Sequence, residues 1–384
     1  MNIIINTHLL VKNKLDGIGW FTYETVRRII ANHPEHNFIL LFDQKPSDEF
    51  IFGSNSKCIV VPPPARHPLL WYIRFEILLP RVIKKHKGDV FVTPDGWMTL
   101  GTSIPCVQVI HDINFVHYPK GIPFLAERYY NIMFPKYARR ASRIVTVSHF
   151  SKQDIARNFG ISQEKIDVAY NGCNTIFEPK NEIQNKATKD KTTGGNPYFL
   201  FVGALIPRKN IARLFSAFEM FKSQDTNNTK LVIVGARKWW TQEIENSFQS
   251  MQHRDDIIFL GRLDASELNN LYSASLALTF VPIFEGFGIP ILEAFNSGTA
   301  VITSNVTSMP EVAGDAAILA DPFSVESIAE AMCLISNQPD LRDSLIKKGR
   351  EWARNFSWDK TAAVLWDNIE KAHSANKKGE QHHL

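Results

Sequence analysis

The chain has 384 residues, 44% of them hydrophobic, with 20 Gly and 20 Pro, an ordinary globular composition that excludes disordered and fibrous classes. Its length exceeds one typical core, so two domains are expected. The net charge of +4, from 43 basic and 39 acidic residues, is too weak an excess to point to nucleic acid.

The N-terminal "MNIIINTHLL" has no charged region ahead of its apolar run and reads as a first strand rather than a signal peptide. No stretch of 18 uncharged apolar residues appears, so no membrane span is expected. Cys58, Cys106, Cys173 and Cys333 are far apart and have no His pair nearby. That spacing argues against a disulfide framework or a zinc site and fits a reducing cytoplasm.

In the first half, short apolar runs predict strands at 2–6, 37–42, 57–61, 89–92, 106–110 and 143–147. Helical patterns fill 19–32, 69–86, 123–140 and 149–158. This alternation implies a parallel sheet covered on both faces. Residues 178–196, "EPKNEIQNKATKDKTTGGN", are almost free of large apolar side chains and read as a linker or surface loop. The rhythm then restarts, with strands at 198–203, 230–235, 257–260, 276–281 and 300–303. Helices are expected at about 210–223, 239–250, 264–274, 288–297, 324–336 and 339–354. The expected architecture is α/β: two doubly wound, Rossmann-like parallel-sheet domains facing each other across a cleft. Ligands of such sheets bind outside the carboxyl ends of the strands.

Four motifs fall just after predicted strands. In "GIGWFTYE", Gly17 and Gly19 precede a helix. They suit either close approach to a phosphate or sugar, or a plain tight turn. Thr22 occupies the third glycine position of a dinucleotide fingerprint, which excludes that motif. In "VIHDINF", His111 and Asp112 follow a buried strand and read either as an imidazole oriented by its neighbouring carboxylate or as a capping pair at the strand end. In "FVGALIPRKN", Arg208 and Lys209 precede a helix near Asn210, making either an anion site that fits a diphosphate or a solvated basic turn. In "EGFGIPILE", Glu285 lies on a loop and Gly288 opens a helix with Pro290 in its first turn. Glu293 falls within the first two turns among apolar neighbours; the two acids read either as a surface loop acid and an exposed position favoured by the helix dipole, or as ligand-binding groups. A carboxylate buried there needs donors, and sugar or ribose hydroxyls would serve.

One further stretch, "LLWYIRFEILLPRVIKKHK" at 69–87, is rich in aromatics and aliphatics, with Pro80 expected to kink or break it. Arg74, Arg81 and Lys85 are expected to share a helical face that Lys84 and Lys87 extend. It reads either as a core helix with a solvated basic side or as an element lying on an anionic membrane surface.

Taken in order, "GIG", "HD", "TVSHFSKQDI", "NG", "VGALIPRKN" and "EGFGIPILEA" resemble the retaining nucleotide-sugar glycosyltransferases of family 4, which have the GT-B architecture. "SMPEVAGDAAILADP" and "FSWDKTA" extend the resemblance from about Asn2 to His373. The resemblance implies that Glu285 contacts the transferred sugar and Glu293 the ribose. Backbone around Gly286, Phe287 and Gly288 would meet the sugar and phosphate. Arg208 and Lys209 would hold the diphosphate as it leaves, His111 would sit over the reacting sugar, and Gly17 and Gly19 would admit donor and acceptor. It implies an acceptor-side domain at 1–178, a linker at 179–196, a donor domain at 197–356 and a crossover helix at 357–375 returning to the first domain.

This chain departs from the pattern at Ala204 and Trp20, where many relatives carry Arg. Arg208 and Lys209 are left as the main cations for the leaving group. Preorganised cations and a helix dipole stabilise a developing diphosphate charge without a metal. No Asp-x-Asp motif appears, so no metal and no cofactor is expected. Retention would follow from front-face attack or from a covalent intermediate. The resemblance further implies a cytoplasmic enzyme of bacterial surface-polysaccharide assembly, including lipopolysaccharide, with mannose from GDP-mannose as the first choice of donor. Its partners would be a nucleotide sugar, a glycan or lipid-linked acceptor and an anionic inner membrane met through 69–87, with no nucleic acid. The competing readings are a nucleotide-sugar epimerase or hydrolase of the same fold, and a non-catalytic sugar-nucleotide-binding partner.

Overall fold

A computed structural model of the chain describes residues 1–65, 67–237 and 240–381. The chain divides into two compact units. The first comprises Met1–Asn171 together with the C-terminal segment from Ser357, and the second is Gly172–Phe356.

The first unit is built on a seven-stranded parallel sheet of order β3-β2-β1-β4-β5-β6-β7. Its strands are β1 (Asn2–Asn6), β2 (Asn37–Phe42), β3 (Ser56–Val60), β4 (Val90–Thr93), β5 (Cys106–Val109), β6 (Arg143–Thr146) and β7 (Ile166–Val168). Ile3, Ile4 and Ile5 of β1 are all buried, as expected where helices cover both faces. The order reverses between β1 and β4, and this reversal makes the switch point of the sheet. The helix Trp358–Gln381 packs on the helix Gly17–Asn32 and on β6. Thr361 Oγ1 donates to the Tyr170 carbonyl, and Trp366 stacks on His33 at 3.6 Å between ring centroids.

The second unit has a six-stranded parallel sheet of order β10-β9-β8-β11-β12-β13. Its strands are β8 (Tyr198–Val202), β9 (Lys230–Val234), β10 (Ile257–Gly261), β11 (Ala277–Phe280), β12 (Ala300–Ser304) and β13 (Ile318–Ala320). Here the switch point lies between β8 and β11. The turns after β8 and β9 are laced by Gly203 N to Val234 O (2.9 Å) and Leu205 N to Ala236 O (3.1 Å). Gly235 has φ +155°, and a Cβ there would stand 1.8 Å from the Gly203 carbonyl oxygen, so only glycine fits.

Several expectations change. The polar stretch 179–196 is not an extended linker. It contains the helix Glu182–Thr193, started by a capping box between Asn181 and Gln184 and closed by Gly194 in the left-handed region. The stretch belongs to the second unit, and the division falls at Asn171/Gly172. Helix 69–86 does not break at Pro80. It runs as Pro68–Tyr72, a π segment Ile73–Leu78, then Leu79–Lys85, and the wide π turn just before Pro80 absorbs the missing backbone donor. The π turn also shifts the helical phase. Arg74 is fully buried, donating to the Val61 carbonyl, and does not share the exposed face of Arg81 and Lys85. The helix expected at 239–250 begins at Gln242, and its predicted first residue lies outside the described residues.

Candidate active site

In the second unit, Arg208 and Lys209 occupy a 3-10 turn, Pro207–Lys209, directly after β8. Asn210 closes that turn at φ +64° and is buried. Its side-chain amide donates to Val281 O (3.1 Å) and Pro322 O (2.7 Å), which fixes the turn against the loop after β11. The same loop returns Ile283 N to Arg208 O at 2.9 Å. Glu285 lies on this loop, and its backbone carbonyl is held by Ser308 Oγ at 2.8 Å.

These tethers bring both cations onto one carboxylate oxygen. Lys209 Nζ is 2.5 Å from Glu285 Oε1, and Arg208 Nη1 donates to the same oxygen. Lys209 also sits over the Phe280 ring, 4.6 Å from its centroid. Burial acts to raise the Glu285 carboxyl, but Arg208 and Lys209 together outweigh it and hold the group below the usual glutamate range. The family resemblance implies that the acid meets the sugar and the cations the diphosphate. In the structure the three form one cluster at the switch point.

Gly286, Phe287 and Gly288 are buried, and Phe287 packs edge-on against Phe356. Gly288, at φ +93°, begins the helix Ile289–Asn296 without a side-chain cap, and Ile291 N donates to the Gly288 carbonyl at 3.0 Å. A Cβ at Gly288 would come within 2.7 Å of Met309 Cε. Glu293, half-buried in that helix, accepts from the Tyr272 hydroxyl at 2.8 Å. Burial pushes Glu293 up to about 7, with the Tyr272 hydrogen bond opposing. The two acids of one motif thus stand in opposite states, Glu285 held ionised and Glu293 poised near neutrality.

In the first unit, His111 follows β5. Its Nε2 donates to the Pro94 carbonyl at 2.8 Å, which leaves Nδ1 as the unprotonated nitrogen. The expected orienting role of Asp112 is therefore taken by a backbone oxygen, while Asp112 accepts from the Asn114 backbone and side-chain amides at 3.0 and 2.6 Å. Burial lowers the imidazole pKa, against the raising effects of the Pro94 hydrogen bond and of Asp112, Asp95 and Asp16. Phe21 meets the ring edge-on at 4.8 Å. Gly17 and Gly19 lie inside the helix Gly17–Asn32 rather than ahead of it. Asp16 is the N-cap and accepts from Gly19 N at 3.0 Å.

Sequence reasoning missed a buried network at the switch point of this unit. Asn6, ending β1, donates to Asp95 Oδ2 at 2.8 Å, and His8 Nδ1 lies 2.9 Å from the same oxygen. Thr93, ending β4, donates to Asp95 Oδ1 at 2.8 Å. The signal available was "NTH" directly after the first strand, but its partner is 89 residues away from Asn6. Tyr272 and Ser308 were missed for the same reason. Among the described residues, no group of three or more His, Cys, Asp and Glu is arranged to hold a metal ion.

Two family models cover most of the chain: "Glycosyltransferase Family 4" matches residues 15–177 and "Glycosyl transferases group 1" matches residues 182–352. The chain is 28% identical to O-antigen chain mannosyltransferase B of Escherichia coli over 373 residues, covering 94% of this chain and 97% of that one. It is 31% identical to O-antigen chain mannosyltransferase RfbU of Salmonella typhimurium over 277 residues, covering 71% and 72%. Among solved structures, sucrose-phosphate synthase of Thermosynechococcus elongatus superposes with a TM-score of 0.77 at 18% identity, over 97% of this chain and 99% of that one. WaaG, a glycosyltransferase involved in lipopolysaccharide biosynthesis, gives 0.72 at 18% identity, over 96% and 99%. At these identities the structural likeness speaks for the fold alone.

Proposed function

This chain belongs to the family-4 glycosyltransferases, hexosyltransferases of GT-B fold, and from that membership we propose that it moves mannose from GDP-mannose to a glycan or lipid-linked acceptor. The names of the two O-antigen mannosyltransferases support the sugar and the setting of surface-polysaccharide assembly. GDP is the base-bearing group of choice by the same analogy.

The observation that carries the site assignment is the Arg208–Lys209–Glu285 cluster at the β8/β11 switch point. As the sugar–phosphate bond breaks, negative charge grows on the leaving diphosphate. Two cations on a tethered turn and the start of the helix Ile289–Asn296 are the groups that would stabilise that charge. The diphosphate takes up Arg208 and Lys209, and Glu285 turns to the hydroxyls of the transferred sugar. Glu293 accepts from the ribose, which favours its ionised form. Gly286, Phe287 and Gly288 line the path between. In the first unit, His111 offers Nδ1 to the reacting sugar, and Gly17 and Gly19, in the first turn of the helix Gly17–Asn32, leave its start open to the substrates.

Retention is assigned to front-face attack, because the family resemblance offers no settled nucleophile for a glycosyl-enzyme intermediate. The cations supply the charge that a metal supplies elsewhere, so activity should survive chelation by EDTA. The enzyme would work at the cytoplasmic face of the inner membrane, touching it through 69–87. Among the described residues, no helix is long and apolar enough to cross a bilayer.

A thermal-shift panel of GDP-, UDP- and ADP-sugars, followed by transfer assays with the stabilising donor, tests the reading. Binding to the native state raises apparent stability, and GDP-mannose should give the largest shift. A larger shift with a UDP-sugar would overturn the donor assignment. Donor hydrolysis as fast without acceptor as with it would favour the hydrolase reading.

A further inference from the structure

We propose that the first unit docks on an anionic phospholipid bilayer through two adjacent helices, Pro68–Lys85 and Phe124–Arg140, with their apolar ends at the rim that carries His111 and their basic ends away from it. This deepens the proposed function and rests on its lipid-linked acceptor.

The two helices connect β3 to β4 and β5 to β6. Right-handed crossovers put both on the same face of the sheet, running in the same direction. Their inner sides are joined. Trp71 stacks on Tyr130 at 5.4 Å between centroids, and Tyr137 donates to Glu76 at 2.8 Å.

The outer sides are unusual for a surface facing water. Leu69 is 63% exposed, Tyr72 50%, Phe124 72% and Leu125 53%. Ile77 and Ile132 are exposed further along the same helices. Beyond them come the exposed cations Arg81, Lys84 and Lys85 on one helix, and Lys136 and Arg139 on the other. Arg128 lies among the apolar residues of the second helix. Together the helices hold two carboxylates, Glu76 and Glu127, against eight Lys and Arg. Glu76 turns inward to Tyr137 and to the Leu100 amide, and Glu127 is half-buried on the flank.

A helix in a βαβ unit begins at the carboxyl edge of the sheet. Both apolar ends therefore lie at the edge where β5 delivers His111, and both basic ends lie towards the opposite edge. Apolar side chains at the acyl boundary, with cations against acidic headgroups, are the chemistry of interfacial binding. The docked orientation brings the His111 rim to the bilayer, where the sugar end of a lipid-linked acceptor is presented. The helix Phe124–Arg140, assigned no function from sequence, contributes half of the surface.

The test is flotation of the full chain with vesicles of phosphatidylcholine alone or mixed with phosphatidylglycerol. Three double variants accompany the wild type: Leu125→Glu/Ile132→Glu, Arg128→Glu/Lys136→Glu, and the control Lys186→Glu/Lys191→Glu on the exposed helix of the second unit. The wild type and the control should float with the acidic vesicles and weakly with the neutral ones. At about fivefold per basic residue, reversing two cations should lower binding at least about 25-fold, and the apolar pair should lower it comparably. Thermal shift by GDP-mannose, measured on every variant, should be unchanged. Loss of that shift in the wild type with flotation intact would count against the donor reading and leave this one standing. A wild type that does not float, or helix variants that float like the control, would overturn it.

Discussion

Replacing Lys209 by Ala separates what the cation does for the fold from what it does for the reaction. Two unit charges at the 2.5 Å separation of Lys209 and Glu285 attract by about 7 kcal/mol at an effective dielectric near 20, before desolvation is counted. Breaking a buried pair by removing one partner costs about 3–5 kcal/mol when the other charge is left alone. Glu285 is not left alone, because Arg208 remains on the same oxygen. The stability loss should therefore be smaller, on the order of 1–2 kcal/mol. Under the proposed mechanism Arg208 would not substitute in the same way in the transition state, since the diphosphate would gain charge that both donors are proposed to meet. Removing one such donor should lower kcat by about 10²–10³-fold. Initial rates at saturating donor, with KM measured separately, and thermal melts on the same preparation read both quantities. A kcat within about threefold of wild type would refute the assignment of Lys209 to the leaving group. A loss confined to KM would mean that Lys209 holds ground state and transition state equally.

Other outcomes follow from the geometry. The Glu293 carboxyl is raised to about 7 from an ordinary 4.5, so its favourable contribution is complete below the unfolded value and is lost as pH rises through the folded one. Thermal melts of the ligand-free protein between pH 5 and 8 should show a decline that Glu293→Gln lacks, worth up to about 3 kcal/mol; parallel curves would count against it. Gly235→Ala, which forces a Cβ onto the Gly203 carbonyl, should cost on the order of 3 kcal/mol or more by denaturant titration. Asp95→Ala strips the acceptor from Asn6 and Thr93 and should destabilise the first unit by about 2–3 kcal/mol in the same measurement. His111→Ala should lower kcat about 10²-fold with an unchanged far-ultraviolet circular dichroism spectrum, and wild-type turnover would remove it from the site.

Most of the fold was legible because both sheets are parallel and buried, so strands such as β1 and β8 read as unbroken apolar runs bounded by turn residues. The strands that escaped, β7 and β13, are three-residue edge strands too short to show a pattern. The helix Glu182–Thr193 escaped because it is polar nearly all round, and its capping box was the available sign. The π segment before Pro80 has no sequence signature, and with it went the facing of Arg74. Within the site, spacing correctly put Glu285 on a loop and Glu293 in a helix. That Glu285 would be shared by two cations and Glu293 held by Tyr272 depends on which strands are neighbours. The same holds for the Asn6–Asp95 link, which exists only because β4 crosses over to lie beside β1.

The return of Trp358–Gln381 to the first unit has a consequence for vectorial synthesis. The second unit, Gly172 to Phe356, is synthesised whole before the helix that completes the first. Until then the partners of that helix, among them His33, Arg143 and the Tyr170 carbonyl, stand uncovered. A chain cut short between Phe356 and about Trp366 carries a finished second unit and an unfinished first one, and the earlier-made unit is the last to close.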